Sequence, residues 1–156
     1  MRYQLKPITQ ENWRTAITLE VAPHQQGLIE DNPTSLLEAT YDPNTEWTPI
    51  GLYVDHQMVG FAMIGQEKKV NDAIWFDRFM IDHRQQKQGY GHALFRSVLT
   101  YLKDHYKSVD TVYLNVRKEN QKAFPFYESF GFSIYDDAPK KDDVVIMSCP
   151  IIREEV

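Results

Sequence analysis

This chain of 156 residues contains a single cysteine, Cys149. One cysteine cannot form an intramolecular disulfide, which predicts a protein that works in a reducing compartment. Long apolar runs are also missing, since no stretch approaches the roughly 18 consecutive apolar residues of a membrane-spanning helix. The N-terminus, Met1 to Lys6, has a strand-like pattern rather than that of a signal peptide. These absences together predict a cytoplasmic protein without a membrane partner.

Clustered positive charge is the next absence. The net charge is −5, and no more than two Lys or Arg residues are consecutive. A protein that binds nucleic acid needs a basic patch to neutralise the phosphates, so no nucleic-acid partner is predicted. The mildly acidic balance is compatible with a small cationic substrate.

Metal-ligand spacing is absent too. The five histidines form neither His-x-x-x-His nor His-Glu-x-x-His, so no metal site is predicted. Cys149 has no neighbouring base, and this favours an apolar packing role over a nucleophilic one. No Ser-His-Asp arrangement is evident in the sequence.

What is present predicts one globular domain over residues 1–156. Apolar runs with strand or helix spacing give the order β-α-α-β-β-β-α-β-α-β-β, which is typical of a mixed sheet flanked by helices. The predicted strands cover residues 3–8, 50–54, 58–64, 74–81, 111–116, 132–135 and 144–151.

Capping residues predict where the first two helices begin. Thr9 is expected to cap the first helix, which runs through Val21. The second helix has two competing start signals. One is Asn32 before a proline, and the other is Ser35 with Glu38 three residues later, a capping-box pattern.

The segment from Gln86 to Gly91 is the most informative one in the chain. It follows the predicted strand 74–81 and leads into a long amphipathic helix that begins near Gly91. A turn that leads directly into a helix leaves backbone N–H groups pointing one way, at the positive end of the helix dipole. Gly89 and Gly91 permit unusual dihedrals and a close approach of phosphate. The segment predicts a diphosphate site, with an ordinary strand-to-helix loop as the alternative.

Two common phosphate-binding fingerprints do not match this segment. A P-loop requires Gly-x-x-x-x-Gly-Lys followed by Ser or Thr, which the chain lacks. A dinucleotide fingerprint requires three glycines in Gly-x-Gly-x-x-Gly, and only two are present, with a different spacing.

The pattern Gln86-x-x-Gly89-x-Gly91 resembles the phosphate loop of the GCN5-related N-acetyltransferase (GNAT) superfamily. A second segment, Asn120 to Phe132, is similar to that family's Asn-x-x-Ala-x-x-aromatic-Tyr-x-x-x-Gly-Phe signature. Both segments lie on the expected elements, and the resemblance covers essentially the whole chain. It implies an α+β (mixed α/β) GNAT fold with a central twisted, mixed six- to seven-stranded sheet flanked by four helices, and acetyl-CoA as co-substrate.

Two residues depart from the family pattern. Lys87 stands where many members have a second glycine, which stiffens the loop and adds a cation near the phosphates. Pro125 lies in the predicted fourth helix, which is expected to be capped by Asn120 and to stop at Gly131. There Pro125 would remove one hydrogen bond and bend the helix.

A narrower resemblance concerns the substrate. Residues 24–30, 35–39, 60–63 and 77–82 are similar to bacterial spermine/spermidine (diamine) N-acetyltransferases, which implies acetylation of a primary amine of a small polyamine. Acceptors of another kind remain open: a protein N-terminus, a lysine or an aminoglycoside-like compound. A non-catalytic CoA-binding module is a further alternative. Family members often dimerise, so a homodimer also remains open, although no interface stripe is visible.

The resemblance implies a role in cofactor binding for residues of two segments. The backbone near Met80 and Ile81, at a splayed strand edge, would pair with the pantetheine arm and hold the acetyl carbonyl. The following residues would contact the phosphates or the pantetheine arm: Gln86, Lys87, Gln88, Gly89, Tyr90, Gly91, His92 and Asn120. For Lys87 and His92, ordinary surface polarity is the alternative.

Acetyl transfer to an amine needs a neutral amine, a stabilised oxyanion and a proton for the leaving thiolate. The resemblance implies direct transfer, with Tyr127 as the general acid. Core packing of its ring is the alternative. Asp77, an acidic residue within an apolar strand, is the candidate base or amine anchor. The alternative for Asp77 is a salt bridge to Arg78 or Arg84.

Acidic and aromatic side chains elsewhere are candidates for the acceptor groove. Glu30 and Asp31, between the first two helices, are expected to contact the distal charges of a polyamine, or else to form a solvated acidic loop. Trp47 and Tyr53 either line this groove or pack in the core.

Overall fold

The computed structural model describes residues 1–135 and 143–153. Within these residues the strands are β1 Tyr3–Pro7, β2 Thr45–Val54, β3 Gln57–Glu67, β4 Ala73–Ile81, β5 Thr111–Arg117, β6 Ser133–Ile134 and β7 Val144–Pro150. The helices are α1 Trp13–Thr18, α2 Asn32–Tyr41, α3 Tyr90–His105 and α4 Ala123–Glu128, with 3₁₀ turns at Pro23–Gln25 and His83–Gln85.

The described strands form one seven-stranded sheet in the order β1-β2-β3-β4-β5-β7-β6. Neighbouring strands are antiparallel, apart from the parallel pair β4 and β5. A parallel pair needs a crossover connection, and α3 supplies it. The predicted order of elements and the mixed α/β fold class are both confirmed.

Side chains are buried on both faces of the sheet, because helices cover each face. The core on the α3 face includes Ile64, Ile74, Leu94, Phe95, Val98, Leu114 and Met147. The core beneath α1 and α2 contains Ala16, Leu19, Tyr53, Met58, Phe61, Met63 and Met80. The sheet thereby fixes the position of the last residues of β4, which lie between these two cores.

The hairpin of β2 and β3 is longer than predicted. Asp55 and His56 form its two-residue turn with φ values of 47° and 72°, as expected of a type I′ turn. Pro49 lies inside β2, although the sequence predicted a loop there. Its carbonyl accepts from the N–H of Ile8 (3.1 Å). The missing N–H therefore faces the β1 side, beyond the paired part of β1, and the ladder to β3 continues.

The first helix is shorter than predicted, because it begins only at Trp13. Thr9 caps the turn before it: its Oγ1 accepts from the N–H of Glu11 (3.2 Å), and its own N–H donates to Oδ1 of Asn12 (2.7 Å). The helix ends at Thr18 rather than continuing to Val21. The chain leaves the helix at Leu19, whose backbone is extended (φ −78°, ψ 131°). The next residue, Glu20, is tied to the end of β4: its N–H donates to Oδ1 of Asp82, and its carbonyl accepts from the N–H of His83.

Neither predicted signal caps α2. The cap is Asp31, whose Oδ1 accepts from the N–H of Thr34 (2.7 Å). Asn32 is instead the first helical residue, and its buried side chain donates to the carbonyl of Ala16 (2.9 Å). The Ser35 hydroxyl donates to the carbonyl of Asp31, so it forms no capping box with Glu38.

The fourth helix starts at Ala123, three residues later than an Asn120 cap would place it. Asn120 uses its backbone carbonyl to accept from the N–H of Ala123 (3.1 Å), and no side-chain cap forms. Pro125 is therefore in the first turn. The N–H groups of a first turn have no partner within the helix, so the expected loss of a hydrogen bond does not occur.

The fourth helix ends at Glu128, and the turn that follows it stops at Gly131, the stop residue that the sequence predicted. The N–H of Phe132 donates to Tyr127 (3.3 Å), and that of Gly131 donates to Glu128 (3.0 Å). These two bonds form a Schellman motif with Gly131 at φ 99°, a value that glycine adopts without a steric penalty. The motif fixes the position of Tyr127 relative to the sheet.

Candidate active site

The site is built where two neighbouring strands of the sheet separate. β4 and β5 pair only from Ala73 to Trp75, opposite Thr111 to Tyr113. Beyond Trp75 the two strands diverge, so the remaining backbone of β4 has no ladder partner on that side. This opening is the splayed strand edge that the family resemblance implied.

A β-bulge in β4 lies directly after the point of separation. Met63 pairs with Asp77 and Phe61 with Met80, so Ala62 is opposite two residues of β4. One of these two is Arg78, which adopts a positive φ of 60°. A bulge increases the local twist and redirects side chains. Because no glycine occurs at this position, the bulge was not predictable from residue type.

A cavity of about 530 Å³ extends from the separated strands to the start of α3. Its wall is formed by residues between α1 and α2, the end of β4, the loop before α3 and the residues around α4. Among its lining residues are His24, Gln25, Ile29, Met80, Ile81, Gln86, Lys87, Tyr90, Gly91, Asn120 and Tyr127. We call this cavity the cofactor cleft. It brings together Met80, Ile81, Asn120 and most of the predicted phosphate loop.

The loop before α3 has the backbone conformation that an anion site needs. Lys87 and Gly89 have positive φ values of 65° and 80°, and α3 begins at the next residue, Tyr90. Alternation of right- and left-handed residues turns successive N–H groups toward one concave side. The sixteen-residue α3 adds the positive end of its dipole. The loop therefore fits a diphosphate.

Three predicted cofactor residues lie at the margin of this cleft. Gln88 and Gly89 are exposed in the loop and do not line the cavity. His92 is exposed on α3, where its Nε2 lies 3.0 Å from Arg96 and its ring is tilted against that of Phe130. A contact of His92 with phosphate stays a prediction.

A second cavity, of about 270 Å³, shares Leu28, Ile29, Phe79 and Tyr127 with the cofactor cleft. Its lining includes Asp77, Glu30, Asn115 and Arg117. Tyr127 lines both this cavity and the cofactor cleft. We call the smaller cavity the acceptor cavity, because the carboxylates of Glu30 and Asp77 line it together with Tyr127.

Asp77 lies at the separation of the two strands. Burial raises the pKa of Asp77, against the opposing effects of the Arg78 charge and of the Asn115 N–H, whose nitrogen is 3.5 Å from Oδ1. The predicted alternative was a salt bridge to Arg78 or Arg84. Within residues 1–135 and 143–153, Arg78 pairs with Glu38 (2.8 Å) and Arg84 with Asp82 (2.8 Å). The Asp77 carboxylate thus faces the acceptor cavity without an ion-pair partner in this part of the chain.

Tyr127 is held by aromatic packing on α4. Its ring lies 5.5 Å from that of the fully buried Phe95 and 6.2 Å from that of Phe132. Burial, with a smaller contribution from the charge of Asp77, raises the pKa of Tyr127 to about 12. The phenol therefore remains protonated at neutral pH and is available as a hydrogen-bond donor. Core packing and exposure to both cavities coexist in this residue.

The two acidic residues between α1 and α2 differ in their surroundings. Glu30 lines the acceptor cavity and also an adjoining cavity of about 390 Å³. Asp31 lines only the adjoining cavity, and one of its carboxylate oxygens caps α2. Of this pair, Glu30 is therefore the one that faces the acceptor cavity.

Trp47 and Tyr53 pack against other side chains. Trp47 covers Gly65, where a larger residue would overlap its ring, and its Nε1 donates to Asp42 (2.9 Å). Tyr53 is buried, and its hydroxyl accepts from Asn12 (3.2 Å). Neither residue lines the cofactor cleft or the acceptor cavity.

Several residues of the site were missed at the level of sequence. Asn115 contacts Asp77 from β5, and Gln25 lines the cofactor cleft from the 3₁₀ turn. Asn115 is a polar residue in an otherwise apolar strand, which was a usable signal. Gln25 lies in a polar stretch without periodicity, and only the folded chain brings it to the cleft.

Other features of the described residues bear on earlier expectations. Cys149 is half-buried, and burial raises the pKa of its thiol, as for a packing residue. Within residues 1–135 and 143–153, no three His, Cys, Asp or Glu side chains are grouped to hold a metal ion. In the same residues no helix has the length and apolarity needed to cross a membrane.

The chain is similar in sequence to known acetyltransferases. A sequence model of the acetyltransferase (GNAT) family matches residues 5–132. The chain is 32% identical over 137 residues to a spermine/spermidine N(1)-acetyltransferase of Bacillus subtilis (strain 168), covering 85% of this chain and 88% of that protein. It is 33% identical over 102 residues to the [ribosomal protein bS18]-alanine N-acetyltransferase of Escherichia coli (strain K12), covering 61% of this chain and 66% of that one.

Solved structures share the fold. A ribosomal-protein-S18-alanine N-acetyltransferase from Escherichia coli superimposes with a TM-score of 0.72 at 22% identity, covering 99% of this chain and 97% of that chain. A spermidine N-acetyltransferase from Vibrio cholerae, in complex with CoA and spermine, gives a TM-score of 0.71 at 17% identity, with 95% of each chain covered.

The two glycines of the phosphate loop predict opposite effects of the same substitution. Gly89→Ala places a side chain at φ 80°, where an L-residue is disfavoured by about 1–2 kcal/mol. Gly91→Ala is the matched control. It lies within α3, its added methyl would be 3.8 Å from Ile81, and alanine favours a helix by about 0.5–1 kcal/mol.

Urea unfolding checks these two signs. We expect Gly89→Ala to lower the free energy of unfolding and Gly91→Ala to raise it. Equal effects of the two substitutions would contradict the left-handed conformation assigned to Gly89.

Two aspartates near the end of β4 predict opposite effects on stability. Asp77 has a raised pKa, so its ionisation opposes folding as the pH rises through that value. Burial of Asp82 is outweighed by hydrogen bonds from Arg84 and from the Glu20 N–H, which hold the pKa of Asp82 below its usual value. Its ionised form therefore stabilises the fold above the unfolded-state pKa of about 3.9.

At pH 7 we expect Asp77→Asn to stabilise the protein, by about 1.4 kcal/mol for each unit by which the pKa is raised. Asp82→Asn is expected to destabilise it by about 1.5–3 kcal/mol, since hydrogen bonds to a charged group are lost. Urea unfolding between pH 4 and pH 8 measures both. The Asp77→Asn gain should shrink toward pH 4 while the Asp82→Asn deficit largely persists. A loss of stability for Asp77→Asn at pH 7 would mean that this carboxylate is structural.

Proposed function

Because this chain belongs to the acetyltransferase (GNAT) family, we propose that it moves an acetyl group from acetyl-CoA to a primary amine of a small polyamine, such as spermine or spermidine, by direct transfer. The chain is an acetyl-CoA-dependent acyltransferase. The acceptor, the mechanism and the residue roles are the proposal. The observation that carries it is the position of Tyr127 between two cavities, beside the desolvated Asp77.

The cofactor cleft accounts for the binding of acetyl-CoA in this proposal. Backbone N–H groups of residues 86–91 hold the diphosphate, and Lys87 adds a positive charge nearby. The unpaired edge of β4 at Met80 and Ile81 is available to the amides of the pantetheine arm, as an added strand would be. Asn120 lines the same cleft and contacts the arm with its side chain.

In the proposed mechanism, the thioester of acetyl-CoA lies next to Tyr127. The amine reaches the acceptor cavity as an ammonium ion and loses a proton to Asp77, directly or through water, because a desolvated carboxylate is a stronger base than a solvated one. The neutral amine attacks the thioester carbonyl, the C–N bond forms and the C–S bond breaks. The Tyr127 phenol donates a hydrogen bond to the departing sulfur. The ammonium gives up two protons in all. The first, taken by Asp77, is released to solvent, and the second leaves the attacking nitrogen as the C–S bond breaks and ends on the sulfur, so the products are the N-acetylated amine, CoA thiol and one free proton.

The charges of the acceptor cavity support a cationic acceptor. Asp77 and Glu30 both line it, so one carboxylate lies beside the reacting nitrogen and another is available to a second ammonium group. A polyamine presents positive charges at intervals along a flexible chain and matches such spacing. The Bacillus relative with spermine/spermidine activity in its name covers most of this chain.

A second acceptor, the N-terminus of a protein, is favoured by one specific observation. Arg78 and Arg117 also line the acceptor cavity. Each is paired with a carboxylate, Arg78 with Glu38 and Arg117 with Glu119 (2.8 Å). A guanidinium has five donors, so each retains hydrogen-bonding capacity for a peptide carbonyl. The relatives named as ribosomal-protein-alanine acetyltransferases agree with this alternative.

An amine panel tests the acceptor. The protein is incubated with acetyl-CoA and spermine, spermidine, a lysine peptide, an aminoglycoside or a peptide with N-terminal alanine, and the release of CoA thiol is followed. We expect thiol release with spermine and spermidine above that with the peptides. Release of thiol with the alanine peptide alone would mean that the acceptor is a protein N-terminus and not a polyamine. Release with none of the amines would favour a CoA-binding module.

Tyr127→Phe tests the proposed general acid. Removing the hydroxyl should lower kcat by roughly 10- to 10³-fold, the scale of general-acid assistance, with the Kd for CoA unchanged. The matched control is Tyr41→Phe, since Tyr41 is 76% exposed and distant from both cavities. An unchanged kcat in Tyr127→Phe would leave this residue with a packing role only.

A further inference from the structure

Residues 22–30, which we call the 22–30 loop, form a wall of both cavities. His24, Gln25, Leu28 and Ile29 line the cofactor cleft, and Leu28, Ile29 and Glu30 line the acceptor cavity. The position of this loop therefore affects the shape of the cofactor site and of the acceptor site together.

The 22–30 loop is linked to the rest of the described chain by a single hydrogen bond. The side-chain amide of Gln86 donates from Nε2 to Oε1 of Gln25 (2.9 Å). The other hydrogen bonds of the loop within residues 1–135 and 143–153 are internal, such as those from the N–H of Gln26 to Pro23 and from that of Leu28 to Gln25. This hydrogen bond therefore ties the loop to residue 86, in addition to the packing of Ile29 against the core beneath α1 and α2.

Both groups that form this hydrogen bond, Nε2 of Gln86 and Oε1 of Gln25, use their full hydrogen-bonding capacity. The second proton on Nε2 of Gln86 faces the backbone carbonyl of Ile81 (2.9 Å), at the end of β4. Oε1 of Gln25 accepts a second hydrogen bond, from the N–H of Ala22 (3.1 Å). An amide nitrogen has two protons and a carbonyl oxygen two lone pairs, so the four groups form a continuous chain from the loop to the sheet.

Gln86 is also the first residue of the phosphate loop. Any ligand that binds the N–H groups of residues 86–91 fixes the backbone from which the Gln86 side chain extends. Gly27 has φ 87° and nothing lies within 4 Å of the position that a Cβ would occupy, so no side-chain contact there opposes a bend of the 22–30 loop. The link and the bend are the two features that a coupled motion requires.

We propose that the Gln25–Gln86 hydrogen bond is a latch through which cofactor binding positions the acceptor wall. Gln86 is in this account a positioning residue, which acts through Gln25 and not on the reacting atoms. The inference rests on the proposed function, since it takes residues 86–91 as the diphosphate site. Acceptor and acetyl-CoA then increase each other's affinity, because coupling between two sites is reciprocal.

Hydrogen exchange measures the latch without depending on turnover. In the wild type, saturating CoA should increase the protection of the amides of both segment 86–91 and segment 22–30. Gln25→Leu removes the hydrogen-bond acceptor of the latch but retains the bulk of the side chain. In this variant CoA should still protect the amides of 86–91, while the CoA-induced protection of 22–30 is lost. A response of 22–30 that survives in Gln25→Leu would overturn the latch. Absence of protection at 86–91 in the wild type would instead contradict the proposed function.

A double-mutant cycle gives the kinetic counterpart, with the best amine of the panel as acceptor. At saturating acetyl-CoA, Gln25→Leu and Gln86→Leu should each raise the KM for the amine by about 2- to 10-fold, the size of one net hydrogen bond. The double variant should be no worse than the more impaired single variant. Gln86→Arg, which keeps hydrogen-bond donors for Oε1 of Gln25 and for the carbonyl of Ile81, should raise this KM less than Gln86→Leu does. Additive effects of the two leucine substitutions would contradict the latch.

Discussion

The separation of β4 from β5 beyond Trp75 is the feature on which the rest of the site depends. Two parallel strands that continued side by side would satisfy each other's backbone groups and leave no edge. The bulge at Arg78 turns β4 away, and the ion pair with Glu38 on α2 holds this conformation. The opening supplies the cofactor cleft, the acceptor cavity and the unpaired strand edge together.

The same opening explains the electrostatics of the site. Asp77 lies where the strands diverge, and it receives one long contact from the Asn115 N–H in place of an ion pair. Burial then raises the pKa of Asp77 and, with the help of its charge, that of Tyr127. Asp82, five residues later, is also buried but is neutralised by Arg84. In the proposed function, Asp77 serves the chemistry, whereas Asp82 contributes to stability.

The order of elements was predicted from local periodicity, and the turn before α3 from its two glycines. The roles of residues 86–91 and of Tyr127 were implied by the family resemblance and stay predictions. Helix starts were less predictable. Asp31 rather than Asn32 or Ser35 caps α2, because the side chain of Asn32 is needed to satisfy a carbonyl of α1. Thr9 caps only the turn before α1, since the helix itself begins after Asn12. Tertiary packing decides between caps that are locally equivalent.

The bulge at Arg78 and the contact of Gln86 with Gln25 were beyond sequence reasoning for another reason. Both join segments distant along the chain, and neither involves a residue type that signals the geometry.

The central claim is that main-chain amides of residues 86–91 hold the diphosphate of coenzyme A beside the opened sheet. Titration calorimetry with CoA and with pantetheine, which lacks the diphosphate, tests it most directly. The account predicts binding of CoA and at least about tenfold weaker binding of pantetheine, since charge-assisted hydrogen bonds are lost. Equal affinities, or no heat with CoA at millimolar concentration, would contradict it.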